Sequence, residues 1–334
     1  MRGFGEAPGR VNLLGEHTDY NEGFVLPTAI AQHTRVEVRA DGAAFVLHAL
    51  GRSTEFSLEY PPAEQSAKYV YGCIKELDAE GIRVPPLHLH VSSEVPMGVG
   101  LSSSAALEVA TLRALRAALG LALDDVRIAQ LAQQAEIRHA GVNCGIMDQM
   151  ACSLAQPGRM LFLDTRTLER RVLPLPAGTA ILVIDSGVAR SLVASGYNQR
   201  RAECEQACAE LGVPALRDAQ PSDVQRLSEP LRRRARHVIT ENERVLQARQ
   251  ADAQTFGRLM DASHESLRDD YEVSTPELDD LVARLREQPG VYGARLTGAG
   301  FGGACVALCR HGDAASAARG ALSRYAGRGR ILVA

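Results

Sequence analysis

Glu16, His17 and Asp19 fall within four consecutive positions of the stretch Gly15-Glu16-His17-Thr18-Asp19-Tyr20. Two carboxylates and an imidazole so close together suit three chemistries: holding a metal, acid–base catalysis, or gripping a ligand rich in hydroxyls. A second group lies in "PMGVGLSSSAALE", Pro96 to Glu108. Gly98 and Gly100 permit close backbone approach, Ser102, Ser103 and Ser104 carry hydroxyls, and a helix-like run follows at once. Free N–H groups and the dipole at a helix start favour an anion, most obviously nucleotide phosphates, and a hydroxyl there could reach a phosphate-bound Mg²⁺. A serine-capped turn is the plain alternative; the three-serine run weighs towards phosphate. Asp148 stands among apolar residues in "CGIMDQM", beyond the segment that carries Glu136. A carboxylate in such surroundings needs either a cationic partner or a function. Arg10, in "APGRVNLLGEH", is the candidate partner.

The stretch Gly298 to Gly303 matches G-x-G-x-x-G in form. A dinucleotide fingerprint must open a helix and be trailed by an acidic residue, whereas this one runs into the strand-like "ACVALC". It is expected instead to be a loop that lets backbone pass close to a ligand or to another loop.

Composition narrows the field. The 334 residues are 46% hydrophobic and 23% charged, enough for a sizeable core and, by length, for two domains rather than one. A net charge of −3 gives no general attraction to nucleic acid or to anionic membranes, so neither is expected as a partner. No apolar run is long enough to span a bilayer, and "MRGFGEAPGR" has no signal-peptide core; the expected location is the cytoplasm. Cys204/Cys208 and Cys305/Cys309 share an i, i+4 spacing without a nearby His, so reduced thiols are expected. Lys68 and Lys75 are the only lysines, and no P-loop sequence occurs, so arginine must handle anions.

These residues need elements to position them. Strands are expected within 24–58, with a turn at Asp41-Gly42, and in "PPLHLHVSSEVP". Helices are expected in "KYVYGCIKELDAEG" with Gly81 as a stop, from the serine run to about Gly120, from the N-cap candidate Asp124 to about His139, and around "RRRARHVITENERV". "RVLPLPAGTAILVIDSG" puts two prolines and a glycine before a buried-strand pattern, and a domain boundary is expected there: 1–176 and 177–334. Strands and helices without strict alternation point to α+β.

Taken together, the segments resemble the galactokinase branch of the GHMP kinase superfamily along nearly the whole chain. "GRVNLLGEHTDYNEGFVLP" is similar to its sugar signature, "PMGVGLSSSAALE" to its phosphate loop and "LTGAGFGGACVAL" to its third motif; "CGIMDQ" and "SGYNQRRAECE" fall in the same order. The resemblance implies a two-domain GHMP kinase fold, with an N-terminal domain like ribosomal protein S5 domain 2 and a ferredoxin-like C-terminal domain. It implies ATP-dependent phosphorylation of D-galactose at the anomeric hydroxyl, with Mg²⁺. Asp148 would be the general base and Arg10 its electrostatic partner. The sugar would be held by Glu16, His17, Asp19, Gly145 and Tyr197. ATP would be held by Pro96, Gly98, Gly100, Leu101, Ser102, Ser103 and Ser104, with Ser104 and Glu136 as metal ligands. A monomer is expected.

Two departures from the family pattern stand out. "APGR" begins at residue 7, whereas relatives often carry additional residues before this signature, and the chain has no Trp where many relatives set one against adenine. Ser66 takes the comparable position, with Tyr69 nearby. Two other readings fit the same motifs: a kinase for N-acetylgalactosamine or another monosaccharide, and a non-catalytic sensor of galactose and ATP.

Overall fold

The computed structural model describes residues 1–40, 43–189 and 193–334, with side chains omitted at 193–195. The turn expected at Asp41-Gly42 lies outside the described residues. Along the chain run β1 (Arg2–Asn12), β2 (Phe24–Val25), β3 (Pro27–Arg39), β4 (Phe45–Ala49), β5 (Arg52–Phe56), α1 (Gln65–Ala79), β6 (His88–Ser93), α2 (Ser103–Leu119), α3 (Asp125–Ala135) and α4 (Met147–Leu154). There follow β7 (Arg159–Asp164), β8 (Arg170–Pro174), β9 (Thr179–Asp185), α5 (Val193–Leu211), α6 (Leu231–Ala248), α7 (Ala253–Asp269), α8 (Pro276–Arg286), β10 (Val291–Leu296), β11 (Ala304–Arg310), α9 (Ala314–Arg324) and β12 (Arg330–Val333).

The chain forms two compact units: residues 1–10, 29–97 and 102–155 in one, and 11–28, 98–101 and 156–334 in the other. The linear boundary expected at 176/177 falls inside the second unit, in the turn between β8 and β9.

In the first unit a five-stranded sheet has the order β1-β3-β6-β4-β5, with β4 parallel to β6 and antiparallel to β5. Alternation settles its faces: Val36, Val38, Leu47 and Leu89 are buried, while the residues between them point away. Helices α1 to α4 pack on one another beside this sheet. The expected punctuation holds. Asp124 caps α3 by accepting from the Arg127 amide at 2.7 Å, and Gly120, in the left-handed region, ends α2. Beyond α3 the helix widens into a π turn over Glu136–Ala140. Nothing in the pattern of Arg2–Asn12, broken by three glycines and a proline, signals strand β1.

In the second unit β9, β10, β11 and β12 form a sheet of order β10-β11-β9-β12, with helices between β9 and β10 and again between β11 and β12. That is the βαββαβ order of a ferredoxin-like fold. A smaller sheet, β2-β7-β8, completes this unit. The combination is a two-domain α+β fold. The glycine stretch 298–303 joins β10 to β11, which pair antiparallel from Leu296 and Cys305 outward. No helix follows, so the dinucleotide reading is excluded on topology as well as on sequence.

Candidate active site

In the first unit, Arg10 near the end of β1 meets Asp148 in the first turn of α4. Its Nε donates to Oδ1 at 2.8 Å, and its Nη2 reaches Oδ1 and Oδ2 at 2.6 Å each. The guanidinium is almost fully buried, while the carboxylate keeps 30% of its surface. The expected partnership is therefore formed, with an open side left on the acid. Ser102 supplies a second donor, Oγ to Oδ2 at 2.6 Å.

That contact changes the reading of the serine run. Ser102 occupies the N-cap position of α2 but makes no side-chain cap; its backbone is left-handed, φ 59° and ψ 47°. Such a conformation costs a non-glycine residue ~1 kcal/mol or more, and here it aims the hydroxyl at Asp148. Gly98 and Gly100 precede it at φ 74° and 89°, and with Pro96 and Leu101 they form the turn before the helix.

Ser104, one residue into α2, donates to Glu136 Oε1 at 3.1 Å. The side-chain amide of Gln149 donates to Glu136 Oε2 at 2.6 Å and to Glu108 Oε2 at 3.2 Å. Burial, and then the charge of Asp148, push the Glu136 carboxyl up to about 7. Glu108 is raised well above the carboxylate range by burial first and by Glu136 second. Glu108 and Gln149 are the members of this cluster that sequence reasoning missed. Both sit at buried helix positions, and only spatial contact with Glu136 marks them. Gly145 is buried in the loop leading to α4. Tyr69, on α1, is pushed up to about 12 by burial and by the neighbouring Glu136, and the Ser66 hydroxyl donates to Glu64 at 2.9 Å.

The second unit organises the other cluster. Gly15 adopts φ 96°, and a Cβ there would meet the Phe24 carbonyl oxygen at 2.5 Å; its N–H donates to Glu241 Oε1 at 2.7 Å. The tight turn delivers Glu16 to the third glycine loop. Glu16 Oε1 accepts from the Gly298 amide at 2.6 Å and the Thr297 hydroxyl at 3.2 Å, with Arg295 Nη2 at 3.4 Å. Arg295 is fully buried, and no sequence signal marked it. The loop's close approach is thus to another loop, one of the two outcomes expected for it.

His17 has both ring nitrogens engaged: Nδ1 with the Tyr20 hydroxyl at 2.8 Å and Nε2 with the Ala299 carbonyl at 3.3 Å. The carbonyl can only accept, which assigns the proton to Nε2 and makes Nδ1 the acceptor. Tyr20 in turn meets Tyr271 at 2.7 Å, and Tyr271 meets Cys204 Sγ at 3.1 Å. Burial, then the nearby His237, lower His17 to about 3, so it is a neutral ring. Tyr197, on α5, lies 5.5 Å from the His17 ring and 5.3 Å from that of Tyr20. Asp19 begins a short 3₁₀ turn and is only half-buried. With both nitrogens engaged, His17 offers no free lone pair to a metal, which takes it out of any ligand set in this stretch.

Comparison with known proteins places the chain in a family. Residues 68–156 match the N-terminal domain of GHMP kinases, 245–328 their C-terminal domain, and 2–40 the galactokinase galactose-binding signature. Galactokinase of Thermotoga neapolitana is 42% identical over 313 residues, covering 92% of this chain and 89% of that protein. That of Roseiflexus sp. is 46% identical over 320 residues, covering 90% and 82%. The crystal structure of Lactococcus lactis galactokinase complexed with galactose superposes with a TM-score of 0.92 at 32% identity, over 99% of this chain and 92% of that one. Methanococcus jannaschii mevalonate kinase, TM-score 0.71 at 21% identity, shares the fold. By sequence over nine-tenths of its length and by fold, the chain belongs to the galactokinase family of the GHMP kinases.

Proposed function

We propose that the chain transfers the γ-phosphoryl group of ATP to the anomeric hydroxyl of D-galactose, giving α-D-galactose 1-phosphate and ADP. The observation that carries the reading is Asp148, oriented by Arg10 and Ser102 yet open on one side, in a chain of the galactokinase family. Asp148 takes the proton of the anomeric hydroxyl as that oxygen attacks the γ-phosphorus and the bond to ADP breaks. Arg10 fixes the direction of the carboxylate and stabilises charge on the transferring group. Because phosphoryl transfer is loose, such positioning and electrostatics carry most of the rate.

Pro96, Gly98, Gly100, Leu101 and Ser102 to Ser104 hold the phosphates at the start of α2, where first-turn amide N–H groups have no partner within the helix. Ser104 and Glu136 fit a Mg²⁺ ion: both offer oxygen, they converge at 3.1 Å, and a buried carboxylate opposed by Asp148 gains from a cation. When bound, that ion neutralises phosphate charge. Asp19, Tyr197 and Gly145 touch the sugar, while Glu16 and His17, with their protein partners, hold the signature loop in shape; Asp19 being the more exposed acid supports this division. A carboxylate that accepts from a sugar hydroxyl rejects the epimer that lacks it there. The seven free cysteines support a reducing, cytoplasmic setting.

A coupled ADP-release assay across galactose, N-acetylgalactosamine and glucose tests the reading. Turnover with galactose is expected. Binding of galactose and ATP without ADP release assigns a sensor instead, and turnover confined to another sugar reassigns the substrate.

A further inference from the structure

His48 lies on β4, and His88 and His90 lie on β6, the strand parallel to it. Residues two apart on a strand share a face, so His88 and His90 point the same way. The register pairs His48 with His90, which brings the third imidazole to that same face. It is the open face: Leu47 and Leu89, between these histidines, are buried on the other. One ligand atom from each ring lies within 4.8 Å of the others, the one such convergence of three metal-ligating groups among the described residues.

We propose that His48, His88 and His90 form a binding site for a transition-metal dication of the Zn²⁺ class on the open face of this sheet. His48 Nε2 and His88 Nδ1 are 3.4 Å apart. Two nitrogens bound at 2.0–2.1 Å to a tetrahedral zinc are separated by about 3.3–3.4 Å, so this edge of the site is already at its bound length. The His48 and His90 rings stack at 4.3 Å between centroids, and a χ rotation of exposed His90 closes the set.

The other nitrogen of His48 is held as metal-binding histidines usually are. Nδ1 meets the Ser53 hydroxyl of β5 at 2.8 Å, and an Nδ1–H donated there leaves the Nε2 lone pair facing the site. Glu37, opposite His90 on β3, is paired with Arg39 at 3.3 Å, so water is left to complete the coordination. Imidazole ligands select Zn²⁺, Ni²⁺ or Cu²⁺ and exclude Mg²⁺. The bound ion would staple β4 to β6, and none of its ligands takes part in the phosphoryl-transfer reading.

The test uses the full chain stripped of metal, titrated with Co²⁺ as a spectroscopic stand-in and then with Zn²⁺ in competition. Visible d–d bands of a four-coordinate site are expected, bleached by Zn²⁺ and untouched by millimolar Mg²⁺. His90→Ala should abolish the bands, and Ser53→Ala should weaken binding by about tenfold. ADP release should be unchanged in both variants, and unchanged thermal midpoints without metal show that they fold. Co²⁺ bands that persist in His90→Ala, a thiolate charge-transfer band, or no bands at all in the parent chain would each overturn the proposal.

Discussion

Replacing Glu136 with Gln removes one buried charge and almost no volume. Burial and the Asp148 charge hold this carboxyl at about 7 against an ordinary 4.5. Between those pH values the folded chain keeps a proton that the unfolded chain has released. Stability therefore falls as pH rises, by about 1.4 kcal/mol for each unit. Over the whole interval the carboxyl withdraws ~3 kcal/mol, complete by pH 8, with about a quarter of it already withdrawn at pH 5. The amide also brings a second N–H group against Gln149, and turning one of the two amides costs the same at either pH. The readout is thus a difference of differences. Urea midpoints of parent and Glu136→Gln are measured at pH 5 and pH 8 in chelator, and titrations of groups that do not feel Glu136 cancel. At pH 8 the variant should gain ~2.5 kcal/mol relative to its standing at pH 5. An unchanged gap between the two proteins across that range would refute the argument that Glu136 is a strained, proton-retaining acid.

Asp148→Asn should lower kcat by about 10²–10⁴-fold, the usual worth of a general base, while ATP affinity measured by calorimetry stays within a few fold; near-normal turnover sinks the base assignment. Gly15→Ala should cost ~2 kcal/mol or more, seen as a lower thermal midpoint, because φ 96° and the Phe24 oxygen at 2.5 Å leave a methyl no room. On the acid side the sign reverses. Burial lowers His17 to about 3 and His237 to about 4, so their unfolded forms take up protons first. The stability they preserve is present above pH 6.5 and is lost as pH falls, ~3 kcal/mol each by pH 4. His17→Gln should make the acid limb of the unfolding profile shallower, and an equally steep limb in the variant would count against the neutral-ring assignment.

Much of the site was legible because its members sit in short local patterns. The Arg10–Asp148 partnership followed from the cost of a carboxylate among apolar residues, and the failure of the glycine stretch as a nucleotide fingerprint followed from the strand after it. Local punctuation at Asp124 and Gly120 also read true, since caps depend on neighbours in sequence. Ser102 did not: a serine before a helix ordinarily caps it, and only Asp148, brought from 46 residues away, explains the left-handed turn. Glu108, Gln149 and Arg295 hid for a related reason. Each lies at a position that pattern alone assigns to core or surface, and only contact between distant segments reveals a buried polar cluster. The same holds for His48 with His88 and His90, joined by strand register rather than by spacing.

The reach of the sugar-signature turn along the chain has a consequence for synthesis. Gly15 binds Glu241, His17 binds Ala299, and Glu16 binds Gly298 at a sequence separation of 282 residues. The turn is therefore finished only once residues made long after it are available. At 5–20 residues per second, Glu16 waits roughly 15–60 s before its amide and hydroxyl donors leave the ribosome. Throughout that time its carboxylate has only water to satisfy it, and burying it would cost several kcal/mol. A nascent chain ending before Gly298 should leave the turn solvated and open to proteases, and protection of Gly15 to Tyr20 should arrive abruptly, with the closing of the β10–β11 loop.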